Sequence, residues 1–209
     1  MLTLYAIRGF DPRFAAELDL AFRFRHDAFV EEAGWNSLRR ADAREIDQFD
    51  TDDTIHIVAI DQGAVRVYSR LNPTTRPYVL SSIYPHLAAQ PIPCEDLVWE
   101  WSRMGTAKHA RTDGRGWSGP IGLLFRCVSH VAMDLGIASL VWQAHPSWVS
   151  RASQLGFDPR PLGFPHPVDN KTVIAAVMDV ESHVFPTMDR YGVPSLPRTA
   201  ETTPVRRAA

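Results

Sequence analysis

Cysteine is scarce in this chain: Cys94 and Cys127 are the only two in 209 residues, and neither has metal-ligand spacing around it. That argues against a disulfide framework and a thiolate zinc site, and the simple reading is a reduced, cytoplasmic chain. No apolar run approaches the length that crosses a bilayer, and the opening Leu2 to Ile7 reads as a strand rather than a targeting segment. Neither sign of charge dominates. Lys and Arg number 22 against 24 Asp and Glu, so the formal net charge of -2 gives no general affinity for nucleic acid or a membrane. The eight histidines form no His-x3-His pattern, and Asp47 and Asp50 lack the twelve-residue loop of a calcium site, so no metal is expected. Internal repeats are absent, and no linker composition interrupts residues 1–190.

What is present is the composition of an ordinary globular protein, 45% hydrophobic and 22% charged, long enough for one sizeable core. A strand at Leu2–Ile7 is followed by an amphipathic helix over Phe14–Glu32, whose Leu18, Leu20, Phe22, Phe24 and Phe29 are read as one broad apolar face. Residues 36–54 are acidic and without period, hence a loop. Ile55–Ile60 and Ala64–Leu71 form a hairpin about Asp61-Gln62-Gly63. A short helix at Leu80–Leu87, a strand around Glu100, a helix over Pro120–Leu135, a strand at Ser139–Ala144, a helix over Pro146–Leu155 and a last strand at Thr172–Val180 complete the pattern. This order predicts an α/β fold: a single mixed, mostly antiparallel sheet flanked by helices. Residues 1–190 make one domain, and 191–209 read as a disordered tail.

The most informative stretch is Asp96-Leu97-Val98-Trp99-Glu100-Trp101-Ser102-Arg103. Strand alternation puts Glu100 and Ser102 on one side and Trp99, Trp101 and Arg103 on the other. Ions in such an apolar run cost several kcal/mol each unless paired or solvated, so the strand is expected to border a polar cleft. Taken alone it also fits an edge strand with a surface ion pair. Four other segments add charged or aromatic residues that make little structural sense by themselves: Arg25 with Phe29, Gly34-Trp35, Glu45-Ile46-Asp47-Gln48-Phe49-Asp50, and Arg70 ahead of Asn72-Pro73-Thr74-Thr75.

In order and spacing these segments resemble the acyl-homoserine-lactone synthases, the LuxI-type autoinducer synthases of quorum sensing. The motifs are Arg25-x3-Phe29-x5-Trp35, Glu45-x-Asp47-x2-Asp50, Arg70-Leu71-x-Pro73-Thr74-Thr75 and Trp99-Glu100-x-Ser102-Arg103, and the likeness spans roughly residues 2–190. The stretch Phe24-Arg25-His26-Asp27-x-Phe29-Val30-Glu31-Glu32 with Leu38-Arg39-Arg40 looks closest to members that accept acyl-CoA. The resemblance implies a fold similar to the GCN5-related N-acetyltransferases. It also implies a reaction in which S-adenosylmethionine and an acyl thioester give an acyl-homoserine lactone, 5'-methylthioadenosine and the free thiol carrier, with both substrates binding transiently and no resident cofactor.

That chemistry assigns roles. The attacking α-amino group must lose a proton, for which Glu100 is the candidate base, with Arg103 beside it as the second catalytic group. Asp47 and Asp50 suit the sulfonium and ammonium, while Arg25, Arg70 and Arg103 suit the carboxylate. Phe29 and Trp35 offer faces to adenine, and Ser102 a hydrogen bond. The acyl pocket is expected at Tyr84, Trp101, Met104, Val141 and Trp142, where bulky rings suit a short branched or aromatic acyl group. Arg111-Thr112-Asp113-Gly114-Arg115-Gly116 matches the Arg-x-x-Gly-x-Gly pattern of acetyltransferases, so Arg111, Gly114 and Gly116 are candidates for a coenzyme A cradle, and a plain turn fits equally. Lys108, Arg111, Arg115 and Arg126 are alternatively a docking patch for an acyl carrier protein. Two other functions remain: a general acyl-CoA N-acyltransferase of the same fold, which would release no methylthioadenosine, and a non-catalytic sensor of adenosylmethionine or thioester.

Overall fold

The computed structural model describes residues 1–108, 116–196 and 201–202. Its strands are β1 (Thr3–Arg8), β2 (Ile55–Asp61), β3 (Ala64–Pro73), β4 (Val98–Thr106), β5 (Ser139–Ala144), β6 (Arg160–Pro161), β7 (His166–Val168), β8 (Lys171–Asp179) and β9 (Glu201–Thr202). The helices are α1 (Ala15–Arg25), α2 (Val79–Ser82), α3 (Pro120–Asp134), α4 (Ser147–Gln154) and α5 (Val184–Arg190). One sheet runs β6-β8-β5-β4-β3-β2-β1-β9, with β7 paired to β8. It is antiparallel except at β4–β5 and β1–β9. This is the mixed, mostly antiparallel sheet that the residue pattern predicts.

Three apolar layers hold it. Leu124, Phe125, Val128, Val131 and Ala132 of α3 pack with Ala152 of α4, Val184 and Met188 of α5, and Trp101 and Trp142 of the sheet. On the opposite face, Leu18, Ala21 and Phe22 of α1 cover Ile7, Val58 and Tyr68. Tyr78, Leu80, Leu87 and Leu162 cover Val141 and Ala175 at the other end. The hairpin turn is a two-residue turn, with Asp61 paired to Ala64 and both Gln62 (φ 50°) and Gly63 (φ 77°) left-handed, the geometry that matches strand twist.

The first helix departs from its expected form. Only Ala15–Arg25 is α-helical, and His26–Glu32 continues as a π-helix. The buried face is Leu18, Ala21, Phe22 and Arg25, whereas Leu20 is exposed. The i, i+3, i+4, i+7 spacing therefore selects a face that includes an arginine. The short helix after residue 78 is likewise split, into α2 and a 3-10 turn at Pro85–Leu87. Thr172–Val180 corresponds to β8, but it is not the last strand, because Glu201–Thr202 pairs with β1. Within the segment read as a tail, Val193 is buried against the α3 core.

Gly163 marks a close approach between loops. A Cβ there would lie 2.5 Å from the Leu87 carbonyl oxygen and 3.0 Å from the Ala89 amide nitrogen, both main-chain atoms. The Ala89 N–H donates to the Leu162 carbonyl at 2.8 Å, so neither side can retreat cheaply. Gly163→Ala is expected to destabilise the chain by about 2 kcal/mol, lowering Tm by about 4–8 °C in thermal unfolding.

Candidate active site

Arg25 sits on the covered face of α1, so its guanidinium enters the protein and must find partners there. Its Nε donates to Glu45 Oε2 at 2.6 Å, and its two terminal nitrogens donate to Asp50 Oδ1 and Oδ2 at 2.7 and 2.8 Å. Arg70, from β3, donates through Nη1 to Asp47 Oδ1 at 2.6 Å and Asp50 Oδ1 at 3.0 Å, and through Nε to Ser102 Oγ at 3.1 Å. Arg103, from β4, donates to both oxygens of Glu45 at 3.0 Å and to Asp47 Oδ2 at 2.5 Å. Three guanidiniums and three carboxylates thus form one neutral network joining α1, the 45–50 loop, β3 and β4. Its depth is graded: the side chains of Arg25, Glu45, Asp50 and Arg70 are fully enclosed, while Asp47 and Arg103 keep 5% and 9% of their surface. The outer rim is therefore Asp47 and Arg103.

Arg103 reaches this network because β4 carries a bulge. Tyr68 pairs with Gly105 and Arg70 with Ser102, so Arg103 and Met104 together oppose Ser69. Arg103 takes a left-handed φ of 53°, which costs about 1–2 kcal/mol and is held by its ion pairs. Plain alternation placed Arg103 on the tryptophan side; the bulge turns it to the face of Ser102. Its guanidinium also lies 5.6 Å from the Phe29 ring and 5.3 Å from the Trp35 ring. Those rings stack on each other at 5.2 Å and 15°, so they do not stand apart as two walls of a slot. Half-buried Trp35 presents the outer surface, with the Lys171 ammonium 5.7 Å from it. An open cavity of about 390 Å³ lies beside Asp47, lined by Ser37, Leu38, Arg39, Arg40, Ile46, Asp47 and Gln48.

Glu100 is fully buried on the same face of β4. Oε1 accepts from the Leu80 N–H at 3.0 Å and from Gln143 Nε2 at 2.9 Å, and Oε2 accepts from the Val79 N–H at 3.2 Å. Burial raises this carboxyl above the ordinary range, against the pull of the Leu80 amide, Gln143, Arg70 and the Val79 amide. The charge acting on Glu100 is that of Arg70; Arg103, expected beside it, is committed to Glu45, Asp47 and the aromatic stack.

The β4–β5 pairing runs from Val98/Ser139 to Trp101/Trp142 and stops, although β4 continues to Thr106 and β5 to Ala144. The strands part there, just beyond Glu100. Of the expected acyl-pocket residues, Trp101 and Trp142 are buried and Met104 packs with them on the α3 side, whereas Val141 and Tyr84 belong to the opposite layer. The two groups can meet only across the gap between the strands. The Trp142 indole N–H is buried without a partner. Arg126 is not a docking residue: it is buried beneath α5, bonded to Asp189 at 2.5 Å. Arg111, Gly114 and Arg115 lie outside the described residues, and Gly116 opens a 3-10 turn, Gly116–Ser118, leading into α3. No candidate metal cluster occurs among the described residues, and no described helix is long and apolar enough to cross a membrane.

Two participants were not foreseen from the sequence, His56 and Tyr68. Tyr68 accepts from Arg25 at 3.1 Å and its hydroxyl lies 2.7 Å from His56 Nδ1, tying β2 to the network. Their alternation on a hairpin marks the pair as inward-facing, but nothing in the pattern links them to Arg25.

A fold of this kind, a mixed sheet with a parallel pair that opens at its centre, is that of the acyl-CoA N-acyltransferases. An acyl-CoA N-acyltransferase from Pseudomonas aeruginosa superposes with a TM-score of 0.58 over 85% of this chain and 99% of that one, at 17% identity. The family model for autoinducer synthases matches residues 10–187, and the chain belongs to that family. An isovaleryl-homoserine lactone synthase from Bradyrhizobium diazoefficiens is 38% identical over 182 residues, covering 86% of this chain and 80% of that protein. A CoA-dependent acyl-homoserine lactone synthase, BjaI, solved with SAM and isopentyl-CoA, superposes with a TM-score of 0.85 at 34% identity over 99% and 96% of the two chains.

The network and His56 set the response to acid. Burial alone would raise the Asp50 carboxyl, but Arg25 and Arg70 outweigh it and hold it well below the usual range. Burial lowers His56 to about 3, with Asp50 opposing and Arg25 and Arg70 assisting. A depressed folded pKa means the unfolded chain binds more protons between about pH 6.5 and 3, so His56 stabilises the fold above pH 6.5 and this contribution is lost as pH falls. Denaturant unfolding is expected to show stability declining from pH 6.5 to 4 by a few kcal/mol, with a clearly shallower decline in His56→Gln. An equal slope in both proteins would show that His56 is not the source.

Proposed function

We propose that this chain is an acyl-homoserine-lactone synthase that acylates S-adenosylmethionine from a short branched acyl-CoA and closes the lactone, releasing 5'-methylthioadenosine and coenzyme A. The observation that carries the reading is Glu100, a buried carboxyl of raised proton affinity at the point where β4 and β5 part. The acyl group follows the isovaleryl specificity named for the relative from Bradyrhizobium diazoefficiens and the isopentyl-CoA complex of BjaI.

In the first step the substrate ammonium gives a proton to Glu100 and its nitrogen attacks the thioester carbonyl. The carbon–sulfur bond breaks with its electron pair on the coenzyme A sulfur, and the second proton that the nitrogen sheds as the amide forms passes to that thiolate, giving the free thiol. In the second, an oxygen of the substrate carboxylate attacks its own γ-carbon while the bond to the sulfonium breaks, and the pair neutralises that sulfur as methylthioadenosine. Ring closure is intramolecular, so holding the substrate folded supplies much of the rate.

The network supports this without every member touching substrate. Arg25 and Asp50 saturate each other and act as a foundation. Asp47, on the rim beside the cavity, faces the cationic sulfonium and ammonium, and Arg103, the cation of the same rim, receives the carboxylate. Trp35 offers its outer surface to adenine, and Ser102 holds Arg70 in place. Trp101, Met104 and Trp142 bound the acyl group at the opening, where a thioester oxygen would supply the acceptor that the Trp142 indole lacks.

Purified protein supplied with S-adenosylmethionine and linear, branched and aromatic acyl-CoAs is expected to yield lactone and methylthioadenosine in equal amounts, fastest with short branched chains. Amide without methylthioadenosine would sink the reading, and turnover confined to acyl carrier protein would overturn the donor. Glu100→Gln is expected to lower kcat by about 10²–10⁴-fold with little change in Tm.

A further inference from the structure

Gln143 is the first residue of β5 beyond the last β4–β5 pair, Trp101/Trp142, and it reaches back across the gap to Glu100. Its side chain shares the parity of Val141, the residue registered against Glu100. An ionised carboxylate only accepts hydrogen bonds, so the amide must present its nitrogen, as it does at 2.9 Å. Leu80 and Gln143 both occupy Oε1, leaving Oε2 with the single, longer bond from Val79. We propose that Gln143 is a positioning residue that clamps Glu100 by Oε1 and reserves Oε2 for the proton.

The physical need is plain. Full burial favours the neutral acid, which cannot accept a proton from the substrate. Arg70 on β3 is the cation that opposes this, and Tyr78, ahead of α2, is the titratable neighbour. The Val79 and Leu80 donors are backbone and fixed by α2. Gln143 is therefore the adjustable member of the set, and it stands on the strand whose divergence opens the acyl site.

This inference rests on Glu100 being the base, and the experiment separates the two. The kcat/KM for S-adenosylmethionine is measured against pH for wild type, Gln143→Met, Gln143→Glu and Glu100→Gln, with Tm recorded for each. The substrate amine titrates identically throughout, so differences between profiles isolate Glu100. Gln143→Met keeps the length and removes the donor, and its acid limb is expected to move up by about one pH unit, with kcat recovering toward wild type at higher pH. Gln143→Glu puts a second carboxyl against the first, so the two share a proton and the limb moves further. Unmoved limbs in both variants, with Glu100→Gln inactive, would overturn the role of Gln143 alone. An active Glu100→Gln would overturn the base itself, and this inference with it.

Discussion

The neutral network of Arg25, Arg70, Arg103, Glu45, Asp47 and Asp50 is the constraint on which the rest of the site depends. Each ion carries a desolvation cost of several kcal/mol, and only mutual pairing with good geometry repays it. The bidentate contact of Arg25 with Asp50 and the two-oxygen contact of Arg103 with Glu45 provide that geometry. Each member pairs with two others, so removing one leaves the buried network with an uncompensated charge, at a cost of about 3–5 kcal/mol. The network therefore fixes α1, the 45–50 loop and the bulge of β4 relative to one another, though no regular secondary structure covers residues 39–54.

Strain and pairing support each other at Arg103. The left-handed backbone turns the side chain off the tryptophan face, and the ion pairs it then makes hold the backbone there. The same crossing separates two environments. Trp101 and Trp142 remain in an apolar layer under α3, suited to an acyl chain, while Glu100, Ser102 and Arg103 share the polar face, suited to a zwitterionic sulfonium substrate. The gap between β4 and β5 is where these two environments communicate.

Much of the fold was legible because its signals are local. Alternation gave the strands, Gln62-Gly63 gave the hairpin turn, and the apolar spacing of α3 gave the long helix. The motifs also located the residues that converge. What the sequence concealed was non-local. A π-helical segment has no distinct composition, a bulge depends on the partner strand, and the order of ion pairs among three arginines and three carboxylates is a tertiary property. For that reason Arg25 and Asp50 read as substrate ligands, while their enclosure makes them each other's partners. His56 and Tyr68 were missed for the same reason.

This reassignment changes what the residues argue about function. From the sequence, Trp35, Asp47, Asp50 and Arg70 spoke against a general N-acyltransferase, which leaves them unexplained. Asp50 and Arg70 are enclosed, so that argument weakens, and the case moves to the rim and the cleft: Asp47 beside a cavity, Arg103 next to it, and Glu100 where the strands part. A simple amine acceptor needs only the last of these. A substrate bearing a sulfonium, an ammonium and a carboxylate needs an anion and a cation held a fixed distance apart, because its own carboxylate must reach its own γ-carbon. A rigid, neutral lattice of paired ions meets that demand, since it offers both signs of charge at its edge without a net field that would favour one end of the substrate over the other.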